Sequence, residues 1–165
     1  MATGNTLLVF TPLANEPPAA LYATLDTRNA HPVLDFDAAT NEYANFTGIM
    51  PRNYAGGGVT VYLHWMATSD TTATHHVFWD AAFERLAAAD QDLDADGFAA
   101  VQSVDVDHVD ATSGKITITA IAFTNGAQMD SVVAGDLFRL QISRDAANDD
   151  ATGDAELLGI EIKET

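Results

Sequence analysis

Apolar and polar residues alternate along most of this chain, most clearly over residues 59–67, which read Val-Thr-Val-Tyr-Leu-His-Trp-Met-Ala. A period of two places successive side chains on opposite faces of a sheet, and it is typical of half-buried β-strands. Related segments separated by Asp, Gly, Thr and Ser predict further strands at 33–37, 43–49, 75–86, 100–107, 115–123, 137–144 and 155–163. We expect eight or nine strands, although residues 81–89 also have the composition of a short helix.

This strand count predicts an all-β protein, an antiparallel two-sheet sandwich with a jelly-roll arrangement of about eight strands. An immunoglobulin-like sandwich is the alternative, and it would lack the paired cysteines of that fold because the chain contains no cysteine. Residues 1–32 contain Pro12, Pro17 and Pro18, and proline is excluded from central strands. We therefore expect 1–32 to form an N-terminal arm or edge strand and 33–165 to form the sandwich domain.

The alternation also predicts which side chains enter the core. Trp65 and Trp79 lie in phase with Val, Leu and Phe residues of their strands, which favours burial over a surface role. For the last three strands the predicted inward residues are Ile116, Ile118, Ala120 and Ala122, then Phe138, Leu140 and Ile142, then Leu158, Ile160 and Ile162. Tyr22, Tyr43, Tyr54 and Tyr62 remain as candidates for surface contacts.

The charge is strongly one-sided, with 24 acidic against 7 basic residues and a formal net charge of −17. Such a field repels phosphate backbones and anionic lipids, so we expect neither nucleic acid nor membrane as a partner. No apolar run approaches the ~20 residues of a membrane span, and the N-terminus lacks the basic region of a secretory signal. These features predict synthesis and retention in the cytoplasm, unless the protein leaves as part of a particle.

One acidic segment has the spacing of a calcium loop. Asp92, Asp94 and Asp96 alternate and are followed by Gly97, and alternate aspartates before a turn can supply three hard oxygen ligands to calcium. The EF-hand pattern also requires a glutamate at the twelfth position, where this chain has Ser103. Calcium is therefore the one candidate cofactor, and a solvated acidic loop is the alternative.

No catalytic constellation stands out. The carboxylate pairs Asp35 with Asp37 and Asp80 with Glu84 have spacings that arise by chance in a chain this acidic. His75 and His76 would point to opposite faces of a strand, and the chain has no His-x-His motif for a metal-dependent enzyme. No serine has the flanking glycines of a nucleophile elbow. We therefore expect a protein that is not an enzyme.

Several segments resemble a group of small virion proteins of tailed bacteriophages. The resemblance covers the chain from about residue 34 to the C-terminus, and it is carried by residues 34–42, 59–66, 83–86, 124–130 and 134–140. It implies a jelly-roll particle protein similar to capsid decoration or cement proteins. By that resemblance, the protein would be a homotrimer that binds the major capsid protein lattice and stabilises the capsid. Its expected location is the virion surface, after synthesis in the host cytoplasm.

Two other functions fit the same fold. The first is a tail or fibre-tip domain that recognises a host glycan, and the second is a carbohydrate-binding β-sandwich module. A tip domain would bind its ligand through exposed aromatic side chains, and a binding module would show oligosaccharide affinity and a calcium-dependent shift in melting. A decoration protein would instead act through its arm and one sheet edge.

Overall fold

The computed structural model describes residues 4–89, 91–105 and 109–165. These residues form ten strands: β1 (Thr6–Phe10), β2 (Thr24–Arg28), β3 (His31–Phe36), β4 (Glu42–Ile49), β5 (Val59–Ala67), β6 (Trp79–Leu86), β7 (Gln102–Val104), β8 (Thr117–Phe123), β9 (Leu137–Arg144) and β10 (Ala155–Glu164). Two single-turn 3₁₀ helices, Pro12–Ala14 and Ala127–Met129, complete the regular structure. In the described part of the chain, no helix has the length and apolar character needed to cross a membrane.

The strands form two packed antiparallel sheets. The six-stranded sheet has the order β2-β3-β10-β5-β8, with β1 also paired to β10, and the four-stranded sheet has the order β4-β9-β6-β7. Each sheet presents one apolar side to the other, as two-sheet sandwiches require. The predicted all-β jelly-roll sandwich is confirmed.

Residues of the N-terminal segment enter the six-stranded sheet. Strand β1 pairs with the C-terminal half of β10, and β2 pairs with β3. Asn29 and Ala30 join β2 to β3 with φ angles of 48° and 64°, as a two-residue hairpin turn with positive φ requires. The boundary expected between residues 32 and 33 falls inside β3.

Aromatic rings from both sheets meet at the centre of the core. Trp65 of β5 and Trp79 of β6 are fully buried, as predicted, and their ring centroids lie 5.8 Å apart. Phe83 of β6 contacts Phe123 of β8 edge-on, with centroids 4.9 Å apart. Such tilted and edge-on contacts are the favoured geometry for aromatic pairs, and here they join the two sheets.

The predicted orientation of β8 is wrong. Ile116 and Ile118 are 57% and 52% exposed, whereas Thr119 is buried together with Ile121 and Phe123. Both phases of this strand contain apolar residues, so alternation alone did not select one. The buried indole of Trp65 favours the observed orientation of β8, because its Nε1 donates a hydrogen bond to Thr119 Oγ1 at 2.8 Å. This bond removes the cost of burying an unpaired polar group.

Two further orientations differ from those predicted. Strand β10 changes register between Leu157 and Gly159, so Leu157 faces the core and Leu158 lies at the bulge.

Tyr54 is buried instead of serving as a surface contact, and its hydroxyl accepts the backbone N–H of Gly58 at 3.1 Å. Gly58 has a φ of +100°, and a Cβ there would lie 2.6 Å from the carbonyl oxygen of Phe123. The reversal before β5 therefore requires this glycine.

Strands β6 and β7 are shorter than expected. The strand predicted from residue 75 begins at Trp79 and continues to Leu86, which excludes the helical alternative over those residues. Strand β7 contains only Gln102–Val104, and the end of its predicted range at 106 and 107 lies outside the described residues.

A buried arginine closes one end of the core. Arg144, the last residue of β9, is fully buried, and its guanidinium binds the carboxylate of Asp149 through Nε and Nη2 at 2.5 and 3.0 Å. It also donates to the carbonyl oxygens of Phe36, Ala151 and Gly153. These bonds satisfy the buried charge and tie the acidic segment 145–154 to the sandwich.

Candidate functional site

The outer surface of the four-stranded sheet carries mainly hydrogen-bonding side chains. Alternate residues of β4, β6 and β9 enter the core, which leaves the intervening residues on the opposite side of the sheet, where some are exposed and Asn45, Glu84 and Ser143 are themselves buried. Cross-strand pairing arranges these residues in three rows. We call this surface the polar face, and its members are Tyr43, Asn45, Thr47, Asp80, Ala82, Glu84, Ser103, Arg139, Gln141 and Ser143.

An ion pair fixes one end of the polar face. Arg139 donates to Glu84 Oε2 from Nε at 2.5 Å and also contacts this carboxylate through Nη2. Glu84 is only 1% exposed, so its charge depends on this partner. The guanidinium carbon of Arg139 also lies 5.1 Å from the ring centroid of Phe98, within the range of a cation–π contact.

Two amide side chains occupy the middle row. Gln141 Nε2 donates to Asn45 Oδ1 at 3.0 Å, which orients both amides. Within the described chain, Gln141 Oε1 and Asn45 Nδ2 have no protein partner, and neither atom is fully buried. The row therefore offers one free acceptor and one free donor, beside the short side chain of Ala82.

The N-terminal segment borders the polar face along β4. Glu16 N donates to the carbonyl oxygen of Asn45 at 2.8 Å, and Asn15 Oδ1 accepts the backbone N–H of Asn45 at 3.1 Å. Thr47 Oγ1 donates to Glu16 Oε2 at 2.7 Å. These contacts hold the segment against the strand, so this border is fixed to the face by both backbone and side-chain bonds.

The opposite border is formed by the segment leading to β7. Ala99 N donates to the carbonyl oxygen of Phe83 at 2.8 Å, which brings Phe98 beside the face. Ser103 Oγ donates to Asp80 Oδ1 at 2.5 Å. Burial raises the pKa of Asp80, and the nearby negative charge of Asp145 adds to the effect.

The predicted calcium loop lies in an exposed turn. Asp92 Oδ1 accepts Asp94 N at 3.1 Å and Asp96 Oδ1 accepts Gly97 N at 3.0 Å, so two of the three carboxylates bind neighbouring backbone. Among residues 4–89, 91–105 and 109–165, no group of three or more potential metal ligands comes together. Asp90 lies outside the described residues. Calcium binding at this loop stays a prediction.

The members of the carboxylate pair in β6 have different partners. Glu84 is paired with Arg139, whereas Asp80 accepts only the hydroxyl of Ser103. Burial raises the pKa of Asp35 to about 6, with further increases from the charges of Asp154 and Glu156. His75 Nδ1 lies 2.8 Å from Asp70 Oδ2, and this hydrogen bond raises the pKa of His75.

The six-stranded sheet presents a different outer surface. Its members on the two neighbouring strands β5 and β8 are Thr60, Tyr62, His64, Ile118, Ala120 and Ala122, which we call the β5–β8 face. A pocket of about 320 Å³ beside this face is lined by the apolar side chains of Met66, Ile116 and Leu158 and by Arg28, Asn29 and His31. The guanidinium of Arg28 is already bound to Glu156 and Ser113.

Sequence reasoning missed the polar face as a site. The alternation of Asn45 and Thr47 with buried neighbours was visible, as was that of Arg139 and Gln141. Their assembly depends on β4, β9 and β6 being neighbours, although they are far apart in the chain. Two separate strands with amide side chains on the outward phase were the only available signal.

Comparison with known proteins identifies the fold. The chain has a TM-score of 0.55 and 8% identity with a family 35 carbohydrate-binding module from an environmental isolate, covering 96% of this chain and 94% of that one. TmCBM27, a carbohydrate-binding module that recognises mannan, gives a TM-score of 0.49 at 7% identity and 99% coverage of both chains. The xylan-binding module CBM15 gives 0.46 at 6% identity, covering 96% and 97%.

No protein-family model matches this chain. No curated protein matches it either. At these identities, the similarity to the family 35 module shows a common β-sandwich jelly-roll fold and nothing about the ligand.

Proposed function

We propose that this protein is a non-catalytic carbohydrate-binding module that binds polysaccharide chains on its polar face. The observation that carries the proposal is the amide pair of Asn45 and Gln141, which is oriented by one hydrogen bond and retains a free donor and acceptor. A sugar hydroxyl donates one hydrogen bond and accepts others, so it complements both free groups.

The surroundings of the amide pair support the same function. The ion pair of Arg139 with Glu84 and the bonds of the two borders hold the polar side chains in place before a ligand arrives. Such preorganisation reduces the entropy lost on binding. Tyr43 at one side and Phe98 at the other add aromatic surface against which the apolar side of a sugar ring can pack.

The fold shared with the family 35 carbohydrate-binding module supports this proposal more than the capsid role. Attachment to a major capsid protein, a homotrimer and a virion location therefore stay predictions from the sequence. Glycan recognition at a tail or fibre tip is compatible with the proposed binding face.

The proposal is tested by isothermal titration calorimetry with mannan, xylan and a panel of soluble neutral polysaccharides. We expect wild-type protein to bind at least one polymer and Gln141→Ala to bind it about fivefold to tenfold more weakly, the effect of one lost hydrogen bond. Thr60→Ala on the β5–β8 face is the matched control, since Thr60 is outside the polar face. It should bind as wild type does.

Two results would reject the proposal. One is the absence of binding to every polymer in the panel. The other is loss of binding in Thr60→Ala with full affinity retained in Gln141→Ala. Thermal unfolding of both variants shows whether each remains folded at the temperature of the titration.

A further inference from the structure

Arg139, the single cationic side chain of the polar face, already forms an ion pair. Both Nε and Nη2 of Arg139 contact the carboxylate of Glu84, and the ring of Phe98 lies beside the guanidinium. Releasing Arg139 to bind a ligand carboxylate would leave Glu84, which is 1% exposed, as an unpaired buried charge. An anionic ligand therefore finds no available cation on this face.

Asp80 is a charged group of the same face without a cationic partner. Among the ion pairs of the described residues, none includes Asp80, and its carboxylate accepts only the hydroxyl of Ser103. Burial and the nearby negative charge of Asp145 raise the pKa of Asp80. On the opposite border, Glu16 accepts only the hydroxyl of Thr47.

The strand register places Asp80 close to a bound sugar. Asp80 pairs with Ser143, and Ser143 pairs with Tyr43 on the far side. Adjacent strands are about 4.8 Å apart, so Asp80 and Tyr43 are separated by about 10 Å across Ser143. A sugar ring lying over Ser143 against Tyr43 would have its substituents beside the Asp80 carboxylate.

We infer that the polar face selects uncharged sugars and that Asp80 is the residue that excludes carboxylated ones. This inference rests on the proposed function, since it names the ligand class of the same face. A sugar carboxylate would lose water beside a second, partly buried carboxylate with no cation to offset the repulsion. A neutral sugar hydroxyl can donate a hydrogen bond to Asp80 instead.

The test compares one polymer in two charge states. The neutral polymer is mannan or xylan, whichever binds wild-type protein more tightly, and the charged polymer is its carboxymethylated derivative. We expect wild-type protein to prefer the neutral form at least tenfold at pH 7 and low salt. Asp80→Asn preserves an acceptor for Ser103 and should reduce that preference at least fivefold.

Asp26→Asn is the matched control for net charge. Asp26 is exposed on β2 of the other sheet, and its Oδ1 accepts Thr27 N at 2.7 Å, a bond that asparagine can keep. This variant removes the same unit of charge away from the polar face. Its preference for the neutral polymer should equal that of wild type.

Three outcomes would overturn the inference. They are an equal reduction of the preference in Asp26→Asn, an unchanged preference in Asp80→Asn, and tighter binding of wild type to the carboxymethylated form. If wild-type protein binds neither polymer nor any other member of the panel, the proposed function fails and this inference fails with it. Thermal unfolding of Asp80→Asn confirms that the variant compared is folded.

Discussion

The polar face and the β5–β8 face are built by the same strand alternation but leave different side chains toward solvent. On the polar face, Gln141 binds Asn45 and Arg139 binds Glu84. On the β5–β8 face, Tyr62 lies opposite Ala120. In the described structure, the side chains of this face form no hydrogen bonds with one another. The two faces therefore differ in how firmly their side chains are oriented.

This difference indicates which exposed sheet surface is suited to recognition. Side chains that already hold one another can present free donors and acceptors at fixed positions, with little entropy left to lose when a ligand binds. An exposed apolar side chain such as Ile118 offers contact area but no hydrogen-bonding group that could orient a ligand. We therefore assign binding to the polar face and treat the β5–β8 face as its internal control.

The largest expected effect is a difference in stability between variants on the two sides of β9. Arg144 points inward and Gln141 outward on the same strand. Arg144→Ala should lower the free energy of unfolding by about 3–5 kcal/mol, because it leaves Asp149 buried without its partner. Gln141→Ala should lower it by less than about 1 kcal/mol. Urea denaturation measures both values, and similar losses in the two variants would contradict the assigned orientation of β9.

A second pair of variants compares the two sides of β8. Ile121 is 1% exposed and Ile118 is 52% exposed on the β5–β8 face. Ile121→Ala should cost about 2–5 kcal/mol through lost burial and a residual cavity. Ile118→Ala should cost less than about 1 kcal/mol. The reverse order, measured by the same denaturation, would restore the orientation predicted from the sequence and refute the one described.

A smaller expected effect on stability comes from Asp35, an unpaired carboxylate of the six-stranded sheet. Asp35 lies opposite Glu156, and its Oδ1 is buried without a partner, unlike the carboxylate of Glu84 on the polar face. Its folded pKa of about 6 exceeds the ordinary 3.8, so the contribution of Asp35 to wild-type stability becomes more favourable as the pH falls from 7 toward 4. Asp35→Asn should raise the free energy of unfolding by about 1–2 kcal/mol at pH 7.

The pH dependence provides the control for this prediction. At pH 3, which is below both the ordinary pKa of 3.8 and the folded pKa, Asp35 is mostly protonated in the folded and the unfolded state, so the advantage of Asp35→Asn should largely disappear. Denaturation curves at pH 7 and pH 3 measure the difference. An advantage that is equal at both pH values would show that the substitution acts through something other than the charge.

Alternation correctly predicted the buried side of β9, because only one of the two alternating sets of residues in that strand is apolar. In β9, Phe138, Leu140 and Ile142 alternate with polar residues, and all three are buried as expected. In β8, Ile118 and Ile121 belong to opposite phases, so the pattern allowed two orientations. The hydrogen bond from Trp65 to Thr119 selected one, and this contact joins residues 54 positions apart.

The fold was more predictable than the candidate site for a related reason. A jelly-roll sandwich follows from many short alternating segments, each of which is visible locally. The polar face depends on which strands become neighbours, and Asn45 and Gln141 meet across 96 residues of sequence. The bulge at Leu158 also escaped prediction, because it depends on the pairing of β10 with β5.

Nuclear magnetic resonance of isotope-labelled protein titrated with mannohexaose and xylohexaose tests the location of binding most directly. The account predicts backbone amide shift changes that cluster at Asn45, Ala82 and Gln141 on neighbouring strands of the polar face. It also predicts no more than minor changes at Tyr62 and Ile118. Shift changes confined to the β5–β8 face would contradict the assignment of binding to the polar face.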